Sequence, residues 1–545
     1  MKLIRPRKHA QWFIPALGLA IAVSLASLSV LPTPSSAQTA SATTTAASAT
    51  TGGLKCTAAA PKDPSKPAPL NGQKDPFKGS LVGQNLPAGL LPIDDTVTKA
   101  ILDLGLPCQE DVGTTGQEDV QLDNLQRGFD FYSWRTFIAL NSPANGTSIL
   151  QTKADAPTRW ENMANFKQLL DVMLPAKLQP PSWPTDRAEM EVERERLVPE
   201  ECRAPHSQMP ERMIVKMIEE SYNEPFKTGP LIDQQGRYAI FDILMNRQMF
   251  EYITDKLHPL YSQALQAANS DLSVDFPAGN DADGELGAFM LKVSWKILSD
   301  KEIADNNFHM VKALVLTPPV PNAERKCLPE TLGLIGFHAV HKTATRPQWI
   351  WTSFEHVKNV PDRDEAAANT LDGPYNFFNA DCKTCAVNAT PPRPWAPVPK
   401  LNLRFRDDDS FKSQIVREVP LTNAAKNMNK IFQSMLADTV WKNYMLISTQ
   451  WPSVFGCTKL HSNPSAPKPQ TDFLKQPDMT CSPAPTFLAN STLETYSQGK
   501  IPLASSSCIA CHGNAVDFQR GASNPQAGKA RLNESDFTFI LEKAQ

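Results

Sequence analysis

The sequence Cys508-Ile509-Ala510-Cys511-His512, followed by only 33 residues in a chain of 545, constrains this protein more than any other feature. Two thiols three positions apart, with an imidazole beside the second, form the C-x-x-C-H signature of c-type haem attachment. The spacing follows from the chemistry. Two thiols add across the two vinyl groups of one porphyrin, so they must lie about one helical turn apart. The next residue then brings its imidazole nitrogen to the iron from the proximal side. A zinc site would need a second close-set Cys or His pair, and none follows His512. A thioredoxin-like dithiol would open a helix after a strand, a pattern this region lacks. The sequence therefore predicts one covalent haem c, with Cys508 and Cys511 as thioether attachments and His512 as the proximal iron ligand. None of the residues after His512 is Met or His, so a sixth ligand would have to come from upstream.

The N-terminus predicts a compartment in which such a group is assembled. Lys2, Arg5, Arg7 and Lys8 precede an apolar run from Trp12 to Leu31, and Ser35-Ser36-Ala37 offers small residues where a signal peptidase reads. These features predict a Sec-type secretory signal peptide over 1–37 and a periplasmic or otherwise exported bacterial protein. Pro6 separates Arg5 from Arg7, so there is no twin-arginine pair. No other stretch is long and apolar enough to cross a bilayer, so no membrane span is expected in the mature chain. With 54 Lys+Arg against 57 Asp+Glu there is no basic excess to suggest nucleic acid.

Residues 38–94 are first Ala/Ser/Thr-rich and then Pro/Gly-rich, without hydrophobic periodicity, and read as a tether. A large mixed body is expected over 95–485, and a haem-attachment segment packed on it over 486–545. Helical spacing marks Val120 to Leu140, Pro210 to about Tyr222, and Ala425 to Leu436. Between them Tyr238–Met245, Ala288–Leu298, Phe308–Leu316, Leu332–Val340 and Gln348–Val357 are short, apolar and rich in β-branched or aromatic residues. Strands in succession without intervening helices predict an α+β fold with an antiparallel β-rich core, a sandwich or open barrel, flanked by several helices.

In its C-terminal attachment site the chain resembles cytochromes of the c-prime and P-460 types, whose iron often has an open distal position. The ending Ser535-Asp536-Phe537-Thr538-Phe539 is similar to theirs. A broader resemblance is to large exported bacterial monohaem proteins described as cytochrome c family. It is carried by Phe129-Asp130-Phe131-Tyr132-Ser133-Trp134, Ile138-Ala139-Leu140-Asn141, the run from Trp349 to His356, and Leu488-Ala489-Asn490-Ser491-Thr492. That resemblance implies a haem protein and brings no settled activity with it.

His338, His341 and His356 are the candidate distal ligands, each weighed against a plain core or surface histidine. On a strand, positions 338 and 341 point to opposite faces, so both cannot serve one iron. His338 would share its face with Leu334 and Val340, and His341 with Ile335 and Phe337. Glu355 and His356 beside His341 form a candidate for a separate metal site. Met428 and Met445 are candidate thioether ligands, although Met428 lies in a helical apolar stripe and reads as core. The remaining cysteines are Cys56, Cys108, Cys202, Cys327, Cys382, Cys385, Cys457 and Cys481. Their even number in an oxidising compartment predicts up to four disulfides, with Cys56 bonded to the body. Cys382-Lys383-Thr384-Cys385 lacks a following His, and a structural disulfide is favoured there over a catalytic dithiol.

Three functions fit these features. An electron-transfer cytochrome would dock a redox partner protein. A haem-dependent oxidoreductase, peroxidase- or oxygenase-like, would hold a small-molecule substrate over an open iron. A gas-binding or sensor protein would bind its ligand there. A dedicated carrier needs only about 80–120 residues, so the large body argues for a pocket or a docking surface as well.

Overall fold

The computed structural model describes residues 54–57, 95–110, 122–175, 177–217, 228–269, 274–319, 324–395, 403–405, 411–452, 483–499, 507–513, 515 and 535–545. The expected signal peptide, the tether apart from 54–57, and Cys457 and Cys481 lie outside these residues.

The five apolar segments expected as strands are strands, and four more join them in one sheet. In chain order the strands are β1 (Phe166–Gln168), β2 (Met213–Lys216), β3 (Ile240–Asn246), β4 (Phe289–Ile297), β5 (Met310–Leu316), β6 (Cys327–Thr343), β7 (Arg346–His356), β8 (Tyr444–Pro452) and β9 (Pro483–Ala484). They run β1-β3-β4-β6-β7-β8-β9, with β5 beside the first half of β6 and β2 beside β5. All pairs are antiparallel except β2 with β5. The architecture is α+β, but the second layer is helical. A sandwich or barrel is therefore not what forms: one sheet buries both faces against helices and loops, which explains strands that are apolar almost throughout.

On one face the expected helix Leu122–Asn141 and the helix Asn423–Met435 pack together. Trp134 stacks on Phe432 at 4.8 Å and meets Phe354 edge-on, and Phe137 stacks on Phe354 at 4.2 Å. Asn423–Met435 starts where Thr422 accepts a hydrogen bond from the Ala425 N–H, and it buries Met428, Ile431 and Phe432. The opposite face carries Met290, Val340 and Trp351, covered by the helix Arg247–Ile253, by Ile509 and by Phe537, Ile540 and Leu541.

Two local expectations are corrected. The segment expected as a helix from Pro210 is not one over its described residues, to Met217: Met213–Lys216 pairs in parallel with Ala313–Leu316. Ile214 and Val215 suit a pleated strand, and the open edge of β5 supplies the hydrogen bonds that decide the matter. On β6, Leu334 does not share a face with His338. Ser294 pairs with Gly336 but Trp295 pairs with Leu334, so Ile335 is an extra bulge residue and the alternation slips by one. Leu334 thus joins Trp295 in the core under the two packed helices.

Among the described residues three disulfides are formed: Cys56–Cys108, Cys202–Cys327 and Cys382–Cys385. The Cys56 N–H also bonds Gly284 O and the Thr57 N–H bonds Leu106 O, so this piece of the expected tether is stitched to the body.

Candidate functional site

Cys508–His512 is a single helical turn capped by Ser507. Gln450 on β8 holds it in place: its Oε1 accepts from the Ile509 N–H at 2.8 Å and from Ser507 Oγ at 3.2 Å. Ile509 and Ala510 are buried against the sheet, which leaves Cys508, Cys511 and His512 on the partly exposed side. Residues three and four apart on a helix are neighbours, so the two thiols share this side with the imidazole close by. Neither thiol is oxidised, although six other cysteines are paired.

His512 Nδ1 lies 2.9 Å from the carbonyl oxygen of Phe537. A carbonyl can only accept, so Nδ1 carries the proton and Nε2 is left with its lone pair. The ring rests against Trp351 at 4.4 Å and Phe539 at 5.0 Å. Enclosure lowers its pKa to about 4, so it is neutral at neutral pH. The same enclosure, reinforced by the Glu494 carboxylate, raises Cys511 to about 12 and Cys508 well above the usual thiol range. A redox dithiol requires the opposite, a thiol made acidic by its surroundings.

The segment Leu488–Thr492 and the residues after it cross the same face of the sheet. Asn490 Nδ2 donates to Ser353 Oγ and to the Phe354 carbonyl. Ser491 donates through both N–H and Oγ to Glu355 Oε2, at 2.9 and 2.6 Å. Thr492 Oγ1 meets Ser294 Oγ at 2.9 Å. Beneath them Glu355 is paired with Arg417, both fully buried. Glu494 ends the run against His338, with Oε1 2.9 Å from Nε2. Burial opposes the charge on Glu494, yet His338 and Lys292 hold its carboxyl down at about 2. Lys292, in turn, donates to the Leu493 carbonyl.

Sequence reasoning singled out the Asn490 run, and Phe537 within the ending Ser535–Phe539, only by resemblance, and it missed Lys292, Ser294, Gln450 and Glu494. Lys292 and Ser294 carried a signal, being polar at alternate positions of an otherwise apolar strand. Glu494 carried none, because its partner His338 is distant in sequence.

Of the candidate upstream ligands, only His338 and Met445 share the sheet face of Glu355 and Trp351, by their register with Ser353 and Glu355. His341 is on the other face, where its Nδ1 bonds Tyr132 Oη at 2.6 Å and its ring stacks on Phe289. Burial lowers its pKa to about 3. His356 stacks on Phe308 at 4.3 Å and bonds the Asn307 carbonyl through Nε2. Met428 is core. The candidate separate metal site of Glu355, His356 and His341 does not form, because Glu355 faces away from the two histidines; among the described residues no group of three such side chains is placed to hold a metal ion. No helix among them is long and apolar enough to cross a membrane.

No family model, curated protein or solved structure matches this chain.

Proposed function

We propose that this chain is a periplasmic c-type cytochrome with one haem c, bound through Cys508 and Cys511 and ligated by His512, and that it takes part in electron transfer. The observation that carries this reading is the state of the 508–512 turn. Its two thiols are unpaired and protonated and share one partly open face, and the adjacent imidazole is fixed in the tautomer that offers Nε2. That donor set fits a haem: two thiols for the vinyl groups and one neutral nitrogen for the iron. Trp349 supports the fit, since its buried indole N–H has no partner within the apolar cluster that also holds Ile509 and Phe537. When bound, the haem would supply one-electron chemistry. The chain's own residues hold and orient it: Gln450 anchors the turn, Phe537 sets the His512 tautomer, and Trp351 and Phe539 shield the imidazole from water. Resemblance to the large exported monohaem proteins supports the same reading.

A second reading, a haem-dependent oxidoreductase or gas-binding protein with an open iron, is favoured by one observation. His341 and His356 lie across the sheet, and His338 is engaged by Glu494.

The test is direct. The mature chain, made in a host with haem-maturation machinery, should be coloured and should keep its haem through acid–acetone extraction. Colourless protein, or haem that extracts freely, would sink the proposal.

A further inference from the structure

We infer that the C-terminal residues 535–545 are a positioning clamp for the His512 imidazole, and that the buried pair Lys342–Asp536 is the pin that sets it. The inference rests on the reading of His512 as the axial ligand and says how this chain would tune that ligand.

The carbonyl that fixes His512 belongs to Phe537, and its placement is unusual. Asp536 and Phe537 have φ of 51° and 62°, two successive non-glycine residues in the left-handed region. Such residues are sterically disfavoured and persist only where their surroundings over-determine them. Here the surroundings do so. Lys342 Nζ, almost wholly buried on β6, lies 2.6 Å from Asp536 Oδ2, and that same oxygen accepts from the Phe276 N–H at 2.8 Å. Lys342 also reaches Asp275 at 2.6 Å, but that carboxylate is mostly exposed. Downstream, Gln266 Nε2 donates to the Leu541 carbonyl and Gln263 Nε2 to the Ala544 carbonyl. Phe537, Ile540 and Leu541 are buried in the cluster that holds Ile509. The strained pair is therefore fastened by an ion pair on one side and by the packed tail on the other.

The consequence is chemical. A strong hydrogen bond from Nδ1–H makes Nε2 a better donor to a metal and favours the oxidised state. Loosening Phe537 should weaken that bond and raise the reduction potential. Lys342 and Asp536 would act only through Phe537 and are positioning residues.

The test uses the full-length haem-loaded protein and compares Lys342→Met, Asp536→Asn and the conservative Lys342→Arg. Lys296→Met, which breaks a different buried ion pair with Asp233 and Glu302, controls for general destabilisation. The readouts are the reduction potential and the electron paramagnetic resonance signal of the ferric haem. The expected result is covalent haem in all four, with a raised potential and altered signal in Lys342→Met and Asp536→Asn, and wild-type values in Lys342→Arg and Lys296→Met. If Lys342→Met fails to fold, the size-matched Asp536→Asn decides. Wild-type potential and signal in Asp536→Asn, or the same change in Lys296→Met, would overturn the inference while leaving covalent attachment intact. A wild-type chain without covalent haem would instead overturn the reading beneath it.

Discussion

Gly336 on β6 lies directly against Thr492: a methyl group built on it would sit 2.3 Å from Thr492 Oγ1 and 2.4 Å from Ser294 Oγ. Only a residue without a side chain lets the Asn490–Glu494 run approach the sheet closely enough for Glu494 to reach His338. Gly336→Ala should therefore push this run off the sheet and cost about 1–3 kcal/mol, as overpacking does. Denaturant midpoints measure the loss. An unchanged midpoint would show that the run yields without strain and that the close approach is incidental.

Asp130 gives a pH dependence of defined sign. It is buried on the helix Leu122–Asn141, where it accepts from Gln126 and Thr449, and burial raises its pKa to about 7 despite those hydrogen bonds. An unfolded aspartate titrates near 4, so between these values the folded chain keeps a proton that the unfolded chain releases. Stability should fall as pH rises through that window, by about 4 kcal/mol at most. Asp130→Asn should remove this slope and be more stable than the parent at pH 8. Midpoints for the two proteins that run parallel from pH 4 to 8 would contradict the assignment.

The parts of the fold that could be read from the chain are those set by local periodicity. The stripes of Leu122–Asn141 and Asn423–Met435 and the apolar runs of β3 to β7 report their own burial. The turn Cys508–His512 was equally legible, because a Cys-x-x-Cys-His run is a pattern contained within five residues. Met213–Lys216 was not, since four residues carry too little pattern and the edge of β5 decides their state. The slip at Ile335 was invisible for a related reason: a bulge is a property of two strands, and one sequence shows only one of them. The residues around the site were lost to distance. Phe537 reaches His512, and Asp536 reaches Lys342, across separations that no local pattern encodes.

The ion pair of Arg417 and Glu355 underlies the Asn490–Glu494 run, and breaking it should be costly. Arg417 also pairs with Asp362, which has Lys426 as a second cation, and Glu355 accepts twice from Ser491, so Arg417→Met leaves the buried Glu355 carboxylate without its cation. A buried charge stripped of its partner costs about 3–5 kcal/mol. Glu355→Gln combined with Arg417→Met should recover part of that loss, because the amide can still accept from Ser491. A double-mutant cycle on unfolding free energies measures the coupling, and additive losses would show that the pair contributes nothing of its own.

The placement of the histidines predicts how a loaded iron would behave. His341 is spent on Tyr132 and His356 on Asn307, both on the far side of the sheet, and His338 is drawn toward Glu494. None of the three is offered to a metal at His512 Nε2. His341→Phe and His356→Phe should therefore lower stability and leave the visible spectrum of the haem protein unchanged. On the open-iron reading the ferrous protein should bind carbon monoxide with all three histidines intact, and His338→Ala should not create that binding but only modify it. Carbon monoxide binding that appears solely after one replacement would identify that histidine as a distal ligand. It would also favour the electron-carrier reading over the open-iron one, because a six-coordinate iron exchanges electrons without admitting a substrate.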